Sequence, residues 1–159
     1  PVLQPPNTDP DVLDNEYRYA GANPVNYSDS LGLVVFKGCS PDQQRLVTDA
    51  LKDYCVRIQQ TSFSQCCPVK SIPSGLQNSC ANPNIVVACK ATNRWPCGRD
   101  TCAWSLPYGN VIRVCPGAWQ ADCGPLGCTL IHELTHMLGH PGENLPRGVE
   151  KCLGCPGRM

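Results

Sequence analysis

All three histidines of this 159-residue chain lie in one stretch, TLIHELTHMLGHPGEN (residues 129–144): His132, His136 and His140. On a helix, residues four apart share a face, so His132 and His136 project side by side and their ring nitrogens can grip one Zn²⁺. Glu133 follows the first of them and points near an open coordination position, where its carboxylate can take a proton from metal-bound water. Zinc brings the pKa of such a water toward neutrality and so makes hydroxide available at physiological pH. These residue types at this spacing point to zinc-promoted hydrolysis, and that chemistry needs a third protein ligand.

Downstream, the candidates for it are His140, Glu143, Glu150, Cys152 and Cys155. A straight helix rises about 1.5 Å per residue, so ligands at 132, 136 and 140 would span roughly 12 Å, too far for one ion. Gly139 can end the helix and turn the chain back toward the metal. His140 is then expected to serve as a supporting or substrate-facing group, and the two cysteines to be bridged. Glu143 stands seven residues beyond His136 and is one candidate for the third ligand. Glu150, on a short helix after Pro146, is the alternative. Tyr108, Arg147 and His140 are candidates for a second electrophile. Trp95 and Trp104 either line a substrate groove or pack against disulfides.

Several elements must position these groups. Residues 125–139 read as a helix, with Leu130, Ile131, Leu134 and Leu138 supplying an apolar face. SPDQQRLVTDALKDYCVRIQQ is the clearest helix: Ser40 is a fitting N-cap, Pro41 opens it, Gln43 completes a capping box, and Val47, Ala50, Leu51, Tyr54 and Ile58 recur at helical spacing. LGLVVF (31–36), NIVVACK (84–90) and NVIRVC (110–115) are strand candidates. Residues 61–83, with three cysteines among Pro, Ser and Gly, read as disulfide-pinned loop. TNRWPCGRDTCAWSLPYG reads as irregular, and residues 146–153 as a short third helix. Residues 1–30, rich in Pro, Asn and Asp, read as an extended arm. No internal repeat is present. One domain over 1–159 is expected, of α+β class, with helices packed on a small mixed sheet.

Composition narrows the function further. Net charge is zero and charged residues make up 16% of the chain; with no basic cluster, neither nucleic acid nor an anionic membrane is favoured as a partner. The longest apolar run is far too short to span a bilayer. No basic-plus-apolar leader opens the chain, so any signal peptide is expected to have been removed. Thirteen cysteines persist safely only as cystines in an oxidising space, which implies secretion; the sequon at Asn26 agrees with it. Reading Cys97/Cys102 and Cys152/Cys155 as a structural zinc site would leave the remaining nine cysteines reduced in a cytosol, and is disfavoured. The odd count leaves at least one cysteine free, modified or paired between chains. Adjacent Cys66 and Cys67 are expected to have different partners.

TLIHELTHMLG resembles the active-site helix of the zincin metallopeptidases, and within them the chain is most similar to the secreted aspzincins, the deuterolysin type. GCSPDQQRLVTDAL resembles that family's first long helix, and NVIRVCPGAW its strand ending in Ile-x-x-Cys-Pro before an aromatic. The resemblance covers roughly residues 37–139, and the zinc helix is its specific part. It implies a small disulfide-rich zincin-like domain, a secreted zinc endopeptidase, with an antiparallel edge strand lining the substrate cleft. Two departures stand out: aspzincins take the third ligand from an Asp with a catalytic Tyr close behind, yet no Asp follows Asp122 and no Tyr follows Tyr108. Metzincins would place a third His at Gly142. The expectation is therefore a monomeric zinc-dependent endopeptidase acting on protein or peptide substrates, with His132, His136 and Glu143 holding zinc and Glu133 as general base. The alternatives are a zincin-fold secreted binding or effector protein without activity, and a zinc- or copper-binding secreted protein.

Overall fold

The computed structural model of the chain describes residues 34–67, 69–81 and 84–157. The expected N-terminal arm and the first part of LGLVVF lie outside them. In chain order the elements are β1 (Val35–Lys37), α1 (Pro41–Ile58), α2 (Thr61–Cys66), α3 (Ser71–Ala81), β2 (Val86–Cys89), β3 (Ala103–Ser105) and β4 (Val111–Val114). Two 3-10 turns follow, at Pro116–Trp119 and Ala121–Cys123, and then α4 (Leu126–Met137) and α5 (Asn144–Cys152). The fold is α+β, with a four-stranded sheet ordered β1-β2-β4-β3. The first two pairings are parallel, and β3 joins β4 antiparallel, with Trp104 opposite Arg113.

Local chemistry accounts for most of these elements. At the start of α1 the Gln43 amide donates to the Ser40 hydroxyl at 3.2 Å, and Ser40 N–H donates to the Gln43 side chain at 2.9 Å. This capping box satisfies two otherwise orphaned donors. Val47, Leu51, Tyr54 and Ile58 then face the core, as their spacing requires. In β2 and β4 burial alternates, so Val87, Cys89, Ile112 and Val114 point inward.

Two segments differ from the sequence reading. Within the stretch read as loop, Thr61–Cys66 and Ser71–Ala81 are helical: they form α2 and α3, which bury Phe63, Ile72, Leu76 and Cys80. Spacing of four between Ile72, Leu76 and Cys80 makes an apolar stripe, and its burial outweighs the poor helix propensity of Ser, Gly and Asn. The irregular stretch before Asn110 holds β3. Its three residues alternate buried, half-buried, buried, too short a period to register against the Gly and Pro around it.

Six disulfides staple the fold: Cys39–Cys89, Cys55–Cys80, Cys66–Cys152, Cys97–Cys115, Cys102–Cys123 and Cys128–Cys155. The four cysteines of the alternative zinc reading are thus bridged to other partners. Cys67 is a buried free thiol, and burial pushes its pKa up, which keeps it protonated. So many bridges belong to an oxidising environment. No helix among the described residues is long and apolar enough to cross a membrane.

The element that matters most for chemistry is α4. Every residue from Gly127 to His136 is buried, because the helix packs against α1, α5 and β3 together. At Gly127 a Cβ would run into the Tyr54 ring of α1. Replacing Gly127 by Ala is therefore expected to destabilise the protein by about 1–3 kcal/mol through overpacking, despite alanine's better helix propensity. Denaturant unfolding measures it, and an unchanged or raised midpoint would show that α1 and α4 can separate without cost.

Candidate metal centre

His132 and His136 lie on one face of α4, their rings edge-to-face with centroids 4.8 Å apart. With Glu133 they form a buried group whose potential ligand atoms all lie within 4.8 Å of one another, and which could hold a metal ion. The two Nε2 atoms stand 3.1 Å apart. Glu143, the residue just before α5, brings its carboxylate to the same point: Oε2 is 3.1 Å from His132 Nε2, and Oε1 is 3.4 Å from His136 Nε2. Ligand atoms on the corners of a tetrahedron with bonds of about 2.0–2.1 Å are separated by roughly 3.4 Å. The observed spacings are close to that.

The far side of each ring decides what its Nε2 can be. His136 Nδ1 lies 2.6 Å from the His140 carbonyl oxygen, which can only accept, so Nδ1 carries the proton. His132 Nδ1 lies 3.3 Å from Glu150 Oε1; the contact falls short of hydrogen-bond alignment, but it too faces Nδ1 toward an acceptor. His136 Nε2 then presents a lone pair, and a His132 ring protonated on Nδ1 presents a second beside it and the Glu143 carboxylate. Three acceptors converging this closely repel unless a cation lies between them.

Each residue singled out from the sequence has a definite place here. Glu143 and Glu150 are not alternatives for one position, because they face opposite nitrogens of the His132 ring. Glu143 keeps 56% of its side chain exposed and Glu150 only 9%. His140 supports the site through its main-chain carbonyl. Its reach depends on Gly139, whose φ of 99° turns the chain directly after α4. Tyr108 has its ring against Gly139, where a Cβ would overlap it, and its N–H donates to the Met137 carbonyl at 3.1 Å. Arg147 approaches Glu143 Oε2 at 4.0 Å.

Glu133 is 5% exposed, and its Oε2 accepts a 2.7 Å hydrogen bond from the Ser105 hydroxyl on β3. A cleft of about 360 Å³ opens beside it, with β3 and Leu106–Pro107 along one wall and Glu133, His136, Pro141 and Glu143 along the other. Trp104 lines this cleft, its ring under the Arg113 guanidinium at 5.0 Å. Trp95, 86% exposed, sits with its ring centroid 6.0 Å from that of Trp104. Ser105 is the site residue that sequence reasoning missed. No motif marks a lone serine, and recognising it required knowing that AWS forms the strand beside α4.

Comparison with protein-family models, curated proteins and solved structures returned no match to this chain.

Glu143→Ala and Glu150→Gln separate the two carboxylates experimentally. Losing the Glu150 charge behind His132 is expected to weaken divalent-metal binding about 10–100-fold, and losing Glu143 to weaken it further, both read by competition with a chromophoric chelator. A milder loss in Glu143→Ala than in Glu150→Gln would reverse their roles.

Proposed function

We propose that the protein is a secreted zinc endopeptidase of the zincin type, closest in kind to the aspzincins, with His132, His136 and Glu143 as zinc ligands and Glu133 as general base. The observation that carries the reading is the convergence of two imidazole Nε2 atoms and a carboxylate on one point beside a buried glutamate. Two nitrogens and one oxygen in tetrahedral spacing suit zinc and leave a fourth position for water or substrate. A zinc ion held there supplies Lewis acidity, acidifying a coordinated water and polarising a peptide carbonyl.

The chain's own residues do the rest. Glu133 takes the proton from the attacking water on its Oε1 and delivers it to the departing amine nitrogen, while Ser105 holds Oε2. Glu150 and the His140 carbonyl hold the two imidazoles so that Nε2 of each faces the point where the metal would be bound. Substrate enters along the open side of β3, where an extended peptide can pair with the sheet edge. The six disulfides support an extracellular setting for this work.

Purified protein is expected to contain one equivalent of zinc and to cleave a denatured protein substrate in a chelator-sensitive way. Glu133→Gln should keep the zinc and lose at least about a hundredfold in kcat, the usual worth of a general base. Full zinc occupancy without cleavage of any substrate in a broad peptide library would replace this reading by that of a binding protein on the same scaffold.

A further inference from the structure

We propose that Ser105 is a positioning residue that joins substrate docking to alignment of the base: its hydroxyl holds the Glu133 carboxylate while its main chain faces the incoming peptide. The inference rests on the endopeptidase reading and deepens it.

Geometry supplies the first half. Ser105 is 7% exposed, and its Oγ lies 2.7 Å from Glu133 Oε2 and 3.1 Å from the Glu133 carbonyl oxygen. A serine has one hydroxyl hydrogen, and the shorter contact to the charged acceptor takes it. Fixing a glutamate in one rotamer costs entropy, which this hydrogen bond helps to offset. With Oε2 anchored to β3, the carboxylate is already set in place before substrate arrives.

Strand register supplies the second half. The Cys115 N–H donates to the Cys102 carbonyl at 2.9 Å, which makes 102 and 115 a hydrogen-bonded pair across β3 and β4. Such pairs alternate in an antiparallel ladder, so Trp104 and Arg113 form the next one. Ala103 and Ser105 therefore turn their N–H and C=O groups away from β4, toward the open edge. The Val114 carbonyl, opposite Ala103, agrees with this: it accepts from Lys90 N–H on its other side at 2.9 Å. A peptide added to the edge of β3 meets the Ser105 main chain, and the same residue's side chain fixes the base.

The test compares Ser105→Ala and Ser105→Thr in the full zinc-loaded protein. Ala keeps the main chain and removes the hydroxyl, so kcat on an unstructured peptide should fall about 10–100-fold, with KM within about twofold and zinc content unchanged. Thr restores a hydroxyl and should recover most of kcat. Wild-type kcat in the Ala variant overturns the proposal, as does a Thr variant that binds zinc, is folded and is as slow as Ala. A crystal structure of Ser105→Ala gives a readout independent of turnover: the Glu133 carboxylate should move or split between rotamers, and one that stays in place refutes the hold. If the wild type itself cleaves nothing, the endopeptidase reading fails, and the Glu133 rotamer still decides for or against Ser105.

Discussion

The constraint on which the site depends is that three acceptors face one another. His136 Nδ1 is committed to the His140 carbonyl at 2.6 Å and His132 Nδ1 faces the Glu150 carboxylate at 3.3 Å; with Nδ1 protonated in each ring, both Nε2 atoms turn inward with lone pairs, 3.1 Å apart. Glu143 then brings negative charge to the same place. A fold can hold such a cluster only where the surrounding structure over-determines it or where a cation neutralises it. The proposed zinc does the second, and the packing of α4 does the first.

Over-determination is visible on every side of α4. Gly127 lets Tyr54 of α1 come into contact with the helix backbone, and the Tyr54 hydroxyl reaches the Cys128 sulfur at 2.9 Å. Because Cys128 is bridged to Cys155, the first turn of α4 is tied to the chain just past α5. A second bridge, Cys66–Cys152, fixes the end of α5 to α2. The first link holds the helix that carries the histidines against the one that carries Glu150 and follows Glu143, and the second anchors that helix to α2. The disulfides so abundant in the composition therefore act on the site as well as on global stability.

Much of this is legible in the sequence, and the reasons differ from residue to residue. His132, Glu133 and His136 are local: helical spacing alone puts them together. Ser40, Pro41 and Gln43 are local too, and the capping box forms as their order implies. What escapes is non-local or propped up by tertiary structure. Residues 71–81 contain Pro73 and Gly75 and look like loop, yet a disulfide to Cys55 and three buried side chains at helical spacing keep them helical. Strand β3 has only three residues and exists because β4 pairs with it. Ser105 could therefore not be connected to Glu133, 28 positions away, before the sheet order was known. The cysteine pairings are equally non-local: Cys66 finds Cys152, whereas the partner expected for Cys67 is absent and its thiol is buried free.

The choice between Glu143 and Glu150 shows how sequence reasoning can pose a question too narrowly. A tetrahedral site needs only one more ligand, which sets the two carboxylates against each other in the sequence. They are seven residues apart, about two turns of helix, so both lie on one face of α5 and its leading edge, separated by roughly 10 Å along the axis. The His132 imidazole fits between them, with Nε2 toward Glu143 at 3.1 Å and Nδ1 toward Glu150 at 3.3 Å. Exposure assigns the tasks. The half-exposed Glu143 borders the cleft, where a ligand must share space with water and substrate, whereas the buried Glu150 is shielded from solvent behind the ring. A buried carboxylate is costly without a partner, and a histidine that cannot turn is the partner it finds. On this arrangement the pair is one device in which α5 grips His132 from both sides, so that the proposed third ligand and the orientation of the His132 ring are set together by the docking of a single helix.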